Sequence, residues 1–232
     1  MKTLFAALAM LCATTALLAQ KTFQGTLDYE YSVQGEQAEM VKPMLPSNMQ
    51  IAYGDGAAMT TMEGGQAAAA FRKIIIFENK GLLVNDAQKT VFEVNESEIQ
   101  AMNKRAKAVS PKIEKVAGQT KEILGYECQQ YKVILPNQPS PQMIWVAEDL
   151  KAPENVGPTM GAISQSAIGN ASINGLPLQI EQDLPQVSAT MTISATDIDD
   201  SAPADAAFEA PADYDVKPIA EYRAQGQQGG NR

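Results

Sequence analysis

Few residues in this chain could do chemistry. Its 232 residues include no histidine and two cysteines, Cys12 and Cys128. Without histidine, Ser-His-Asp and Cys-His catalysis, imidazole ligation of zinc and histidine pH switching are closed. Cys128 stands in KEILGYECQQYKV, residues 121–133. A nucleophilic or redox thiol needs a cation, a histidine or a helix N-terminus beside it to lower its pKa. Tyr126, Glu127 and Gln129 offer none of these, so Cys128 reads as a small apolar side chain buried in a strand. The carboxylates gather at Glu148-Asp149 and at Asp197, Asp199 and Asp200. A glycosidase needs two carboxyls at a set separation, one with a raised pKa. An EF-hand loop needs a glycine and a distal Glu, which Asp197-x-Asp199-Asp200 lacks. Both groups read as solvated strand ends. The expectation is a non-enzyme with no catalytic residue, metal ligand or cofactor.

Methionine is the other resource. All but Met1 and Met10 of the 11 methionines lie beyond residue 20, while aromatics make up 6% of the chain. Flexible thioethers suit irregular core gaps, and they equally suit a cavity that accepts varied apolar chains. If such a cavity exists, alternate side chains of a half-open sheet would line it. Met44, Met59, Met62, Ile76, Trp145 and Met191 are the candidate ligand-binding residues on that reading.

The elements that must position them begin with an address. Residues 1–20, MKTLFAALAMLCATTALLAQ, place Lys2 before an apolar run from Leu4 to Leu18 and a small Ala19. That is the pattern of an export signal, with cleavage expected after Ala19. The run is shorter than the roughly 20 apolar residues of a membrane span. Leu11, preceding Cys12, argues against a lipid-modified cysteine there. The expected division is a signal peptide at 1–19, one domain at 20–215 and a disordered tail at 216–232. A net charge of −9 without a basic stripe argues against nucleic acid as a partner and against electrostatic docking on anionic lipid. Asp200-Ser201-Ala202 resembles the short site that some Gram-negative bacteria O-glycosylate, a match that three residues often make by chance.

The stretch TFQGTLDYEYSV (22–33) alternates apolar and polar residues throughout, the mark of an antiparallel strand with one buried face. Short strands are expected at 49–54, 57–63, 70–79, 81–86 and 90–94, separated by Gly and Asx turns. Asn95 and Glu98 form a capping box for a helix over 95–109. Strands follow at 112–118, 123–135 and 142–148, with a change of phase near Gln129-Gln130 that predicts a bulge or crossing. Gly125 is expected at a bulge or a close backbone approach. A second helix is expected at 154–168, and a last hairpin runs from Leu176 to Ala195.

These residues carry a resemblance. Its motifs are Thr120-Lys121-x-Ile123-x-Gly125-Tyr126-x-Cys128-x-x-Tyr131, Trp145-Val146-Ala147 with Asp149-Leu150, Asn174-Gly175-Leu176-Pro177-Leu178, and a closing Phe208-x-x-Pro211-x-x-Tyr214. Together they resemble the exported bacterial family DUF4412, which is similar to the LolA/LolB-like fold of lipoprotein carriers. The resemblance implies an α+β, mainly β architecture: a curved antiparallel half-open barrel covered by one or two helices. It also implies a binding protein of the Gram-negative periplasm or cell envelope, holding a lipid, acyl chain or other hydrophobic ligand. The competing expectation is a protein-interaction module with a filled core, whose partner is an envelope protein. The motifs are structural, so no catalytic residue comes with them.

Overall fold

The computed structural model describes residues 22–108, 111–136, 138–151, 153 and 173–229. The signal segment and the expected helix at 154–168 lie outside these residues. The alternating N-terminal stretch forms β1 (Gly25–Gly35), with Leu27, Tyr29 and Val33 buried and Asp28 and Glu30 turned away. A short helix α1 (Ala38–Val41) and a 3-10 turn (Lys42–Met44) follow, because Pro43 and Pro46 stop anything longer. A meander comes next: β2 (Asn48–Tyr53), β3 (Ala57–Glu63), β4 (Lys73–Phe77), β5 (Gly81–Asn85) and β6 (Thr90–Val94). A helix that the sequence pattern does not reveal, α2 (Gly65–Ala70), joins β3 to β4.

Helix α3 (Glu96–Ala108) starts as its capping box predicts. The Glu98 N–H donates to Asn95 Oδ1 (3.0 Å) and the Asn95 N–H donates to Glu98 Oε2 (3.2 Å). The second half of the sheet contains β7 (Lys112–Ile123), β8 (Tyr126–Ile134), β9 (Gln142–Ala147), β10 (Leu176–Leu184) and β11 (Ala189–Asp199).

Among the described residues one 12-stranded sheet forms, in the order β12-β6-β5-β4-β3-β2-β1-β11-β10-β9-β8-β7, with β12 at Asp215–Pro218. Every neighbouring pair is antiparallel except β12 with β6. Register carries one face across the whole sheet. Leu27, Ile51, Thr60, Ile74, Leu83 and Phe92 are successive partners on one side of β1. Tyr31, Ile193, Ile180, Ile144 and Tyr131 are successive partners on the other. This inner face holds most of the largest core cluster, with Ala38, Val41, Leu45 and Ala68 packed against it from α1, its following turn and α2. The outer face of β2 to β6 holds a second cluster, Ala52, Met59, Ile75, Leu82, Val84 and Val91, covered by Phe208 and its neighbours. No described helix is long and apolar enough to cross a membrane.

Three expectations need correction. The tail does not lose order at 216: β12 pairs with β6, and α4 (Ile219–Gly229) packs behind it. The cause is apolar spacing, since Ile219 and Tyr222 are three apart on a helix and seat against Phe92, Phe71 and Ile99. The Tyr222 ring lies 4.7 Å from Phe71 and 5.3 Å from Phe92, centroid to centroid. Gly125 is not at a bulge. Leu124 (φ 52°) and Gly125 (φ 83°) are the two central residues of a hairpin turn between β7 and β8, which needs both at positive φ. The irregularity expected at Gln129-Gln130 falls on the opposite strand. Pairing of β8 with β9 runs unbroken, and the shift lies in β7 between Lys115 and Thr120. Both faces of β8 carry partly covered apolar residues, so its own phase change needs no bulge.

Candidate functional site

The chemically suggestive side chains are engaged structurally. Cys128 is fully buried, its thiol donates toward the Tyr126 carbonyl at 3.5 Å, and burial pushes its pKa up. That is the opposite of an activated thiol. Alkylating reagents should therefore label Cys128 only after denaturation, followed by intact mass; rapid labelling of the folded protein would contradict its burial. Glu148 ties three strands together, accepting from Lys115 at 2.7 Å and from the Tyr131 hydroxyl. Hydrogen bonds from Lys115 and then Tyr131 hold its carboxyl below the ordinary range. Asp199 is likewise held low by Ser201. Neither is the raised-pKa carboxyl that a glycosidase acid requires. Among the described residues no cluster of carboxylates or thiols could hold a metal ion.

The six methionine-centred candidates divide by register. Met62 and Ile76 lie on the inner face, since Met62 pairs with Met49 and Ile76 with Ala58. Met191 is also there, opposite Val33. Met59 faces the other way, into the outer cluster with Phe208. Trp145 also takes the outer face, where the Lys121 ammonium sits 4.2 Å from its ring centroid. Both strands are buried on both sides, so alternation alone could not say which face their side chains take. Met44 is 53% exposed on the turn after α1.

Met44, Met62 and Met191 nevertheless come to one end of the sheet. There the segment from α1 to Ser47 lies across the inner face like a strap. Its docking depends on the Gly64-Gly65 pair, with φ of 70° and 66°. A Cβ on Gly65 would meet the Leu45 carbonyl carbon and oxygen at 2.5 Å. Ser47 closes the contact, its N–H donating to the Glu63 carbonyl at 2.8 Å.

Three hollows adjoin around this strap. The largest, about 640 Å³, lies between Tyr31 and Val33 of β1, Leu45 and Pro46 of the strap, and Gly64-Gly65. Across the glycine pair a second, about 460 Å³, is lined by Met62, Ala68 and Arg72. A third, about 320 Å³, shares Leu45 and is lined by Gln138, Gln182, Leu184 and Met191. The rim cations are matched locally, Lys42 with Glu39 at 2.5 Å and Arg72 with Glu63 at 3.5 Å. Burial raises the Tyr31 hydroxyl pKa to about 12, and that hydroxyl points to Met49 Sδ at 3.5 Å. Val33, Leu45, Met62, Leu184 and Met191 supply the apolar part of these walls, and Lys42, Glu63, Arg72 and Asp183 the charged part. Sequence reasoning missed Tyr31, Val33 and Leu45 as lining. Only the Gly64-Gly65 pair signalled a close approach, and it reads equally as an ordinary turn.

A family model described as a domain of unknown function, DUF4412, matches residues 36–214. No curated protein matches the chain. Among solved structures it is similar to an uncharacterized conserved protein from Thermus thermophilus, at 8% identity and TM-score 0.43, covering 82% of this chain and 90% of that one. It is also similar to the MucA/MucB complex structure of Pseudomonas aeruginosa, at 14% identity and TM-score 0.44, covering 84% of this chain and 58% of that one. A third is a LolA superfamily protein from Nitrosomonas europaea, at 9% identity and TM-score 0.31, covering 81% of this chain and 90% of that one.

Proposed function

We propose that this chain, which belongs to the DUF4412 family, is a non-enzymatic binding protein of the cell envelope that holds a hydrophobic chain at the strap end of its sheet. The observation that carries the reading is the run of adjoining hollows beside Leu45 and Gly64-Gly65, the largest about 640 Å³. That volume falls in the range of roughly 300 to 1,000 Å³ for small-molecule sites. Apolar Val33, Leu45 and Leu184 share the walls with polar side chains, and flexible Met62 and Met191 stand in the flanking hollows. Thioethers there can re-pack around chains of different shape. Placement in the envelope is supported by the apolar N-terminal segment from Leu4 to Leu18.

The test is titration with a neutral naphthylamine probe whose fluorescence rises in apolar surroundings. Binding in the micromolar range is expected, roughly 8 kcal/mol. Met62→Asp and Met191→Asp should abolish it in folded protein, because each puts a carboxylate into an apolar wall. No binding by well-folded wild type would sink the reading.

One observation favours a second reading, an interaction module with a filled core. Leu27, Ile51, Ile144, Leu176 and Leu178 have no accessible area. Leu27, Ile51 and Ile144 are the centre of the inner face, and their full burial is what a solid core would give. Met40 and Met44, 68% and 53% exposed on the strap, would then contact a protein. Native mass spectrometry of envelope-purified protein separates the two, reading either a co-purifying lipid or a co-purifying chain.

A further inference from the structure

A hollow of about 480 Å³ lies on the outer face of the sheet, away from the strap. Phe77, Leu82 and Val91 of β4, β5 and β6 form its floor, and register keeps all three on that face. Phe208 and Ala210, from the 3-10 turn Asp205–Phe208 and the chain after it, form one wall. Val216 of the edge strand β12, 63% exposed, forms another. The volume falls within the range of small-molecule sites.

The charges around this apolar groove do not balance. Glu93, Asp205 and Glu209 stand in its lining against one cation, Lys80, and all four are exposed. Among the described residues no side-chain hydrogen bond or ion pair engages any of the three carboxylates. The strap hollows differ, since Lys42 and Arg72 there are matched by Glu39 and Glu63. Lys80 is engaged with an aromatic ring instead: its ammonium lies 4.8 Å from the Phe77 centroid. The groove therefore already carries a cation on its aromatic side, held by the negative face of the ring.

We infer that this groove binds a small organic cation with an apolar body, of the arylalkyl-ammonium class, at a site separate from the strap. The apolar body covers Leu82, Val91, Phe208 and Val216. The ligand ammonium replaces that of Lys80 on the Phe77 ring. Lys80 closes the hairpin turn between β4 and β5, its carbonyl accepting the Phe77 N–H at 2.8 Å, so its exposed side chain can swing into water while the backbone stays. The three carboxylates add surface attraction, modest for each and screened by salt. An anion of the same shape meets three like charges and is rejected.

The experiment is calorimetric titration of the full chain at neutral pH and low salt with 4-phenylbutylammonium, 4-phenylbutanol and 5-phenylvalerate, which share one phenylbutyl body. The ammonium should bind roughly tenfold more tightly than the alcohol, a difference of about 1.4 kcal/mol, and the carboxylate more weakly than either. The double variant Glu93→Gln, Glu209→Gln should lose most of that preference. Lys80→Met should tighten ammonium binding, because it removes the competing cation from the Phe77 ring. These side chains are exposed, so the variants keep the core intact. Glu78→Gln is the control for net charge: it lies in the same hairpin turn but outside the lining, and should leave the preference unchanged. Equal binding of ammonium and alcohol overturns the inference, as does an equal loss in Glu78→Gln and the double variant. Failure of all three compounds to bind also overturns it, and leaves the strap site, read by the naphthylamine probe, untouched.

Discussion

Above about pH 10 the protein should lose stability, by up to about 1.4 kcal/mol per pH unit for each of three tyrosines on the inner face. The three are Tyr29, Tyr31 and Tyr53, which stand together on the inner face of β1 and β2. Burial raises all three hydroxyl pKa values, Tyr31 to about 12 and Tyr29 and Tyr53 further. Below pH 10 each is protonated in both folded and unfolded chains, and pH has no purchase through them. Above it the unfolded chain gives up its phenolic protons while the folded chain keeps them. The unfolded state is then favoured with every step in pH until the folded hydroxyls themselves ionise. Urea unfolding at pH 9, 10 and 11 measures the slope. Tyr29→Phe should remove one tyrosine's share of it. The same change should cost about 1 to 2 kcal/mol at neutral pH, because the Pro177 carbonyl loses the Tyr29 hydroxyl that donates to it at 2.8 Å. A stability that stays level from pH 9 to 11 would contradict the burial of these rings.

Gly65→Ala should cost about 2 to 4 kcal/mol and abolish probe binding. Two costs combine at this position. An L-residue at φ 66° is strained, and the added carbon would lie 2.5 Å from the Leu45 carbonyl. Backbone rather than a flexible side chain must therefore move, which lifts the strap from the sheet. Gly125→Ala supplies the comparison. Its φ of 83° is as unfavourable, yet nothing lies within 4 Å of the new carbon. Only the conformational penalty of about 1 to 2 kcal/mol remains there, far from the rim. Denaturant unfolding of both variants, with probe titration, tests the argument. Equal effects at the two glycines would show that the close approach at Leu45 does not matter.

How much of this was legible depended on whether a strand had a wet side. β1 could be read residue by residue, because Thr26, Asp28 and Glu30 mark its outer face against Leu27, Tyr29 and Val33. The capping box at Asn95 and Glu98 was equally plain. β3 and β9 are covered on both sides, so AAMTTME and QMIWVA give no phase, and Met59 and Trp145 could not be assigned a face. The turn at Leu124-Gly125 was obscured because leucine seldom occupies a positive-φ turn position. The C-terminal helix was masked by its composition: Ile219 and Tyr222 anchor it, while glutamine and glycine surround them. The strap site lay beyond sequence reasoning for a different reason. It joins β1, the segment after it and the loop after β3, and nothing local records that Leu45 meets Gly65.

The pairing of β1 with β11, which sets Thr26 opposite Asp199, also governs how the chain can fold. The strands from β2 to β6 are sequential neighbours, and so are those from β7 to β11. The first half can zip up through short connections with little chain entropy to surrender, while the second must also bring together β9 and β10 across residues 148–175. The β1–β11 seam is different, because its contact order is set by nearly the whole chain between them. Closing it is expected to be the slow step, and β proteins dominated by such distant pairings fold in milliseconds to seconds. Until it closes, two sheet halves each present an open edge and half of one apolar face. A chaperone that shields either edge would then act on the seam-open intermediate, at the stage when this protein is most open to aggregation.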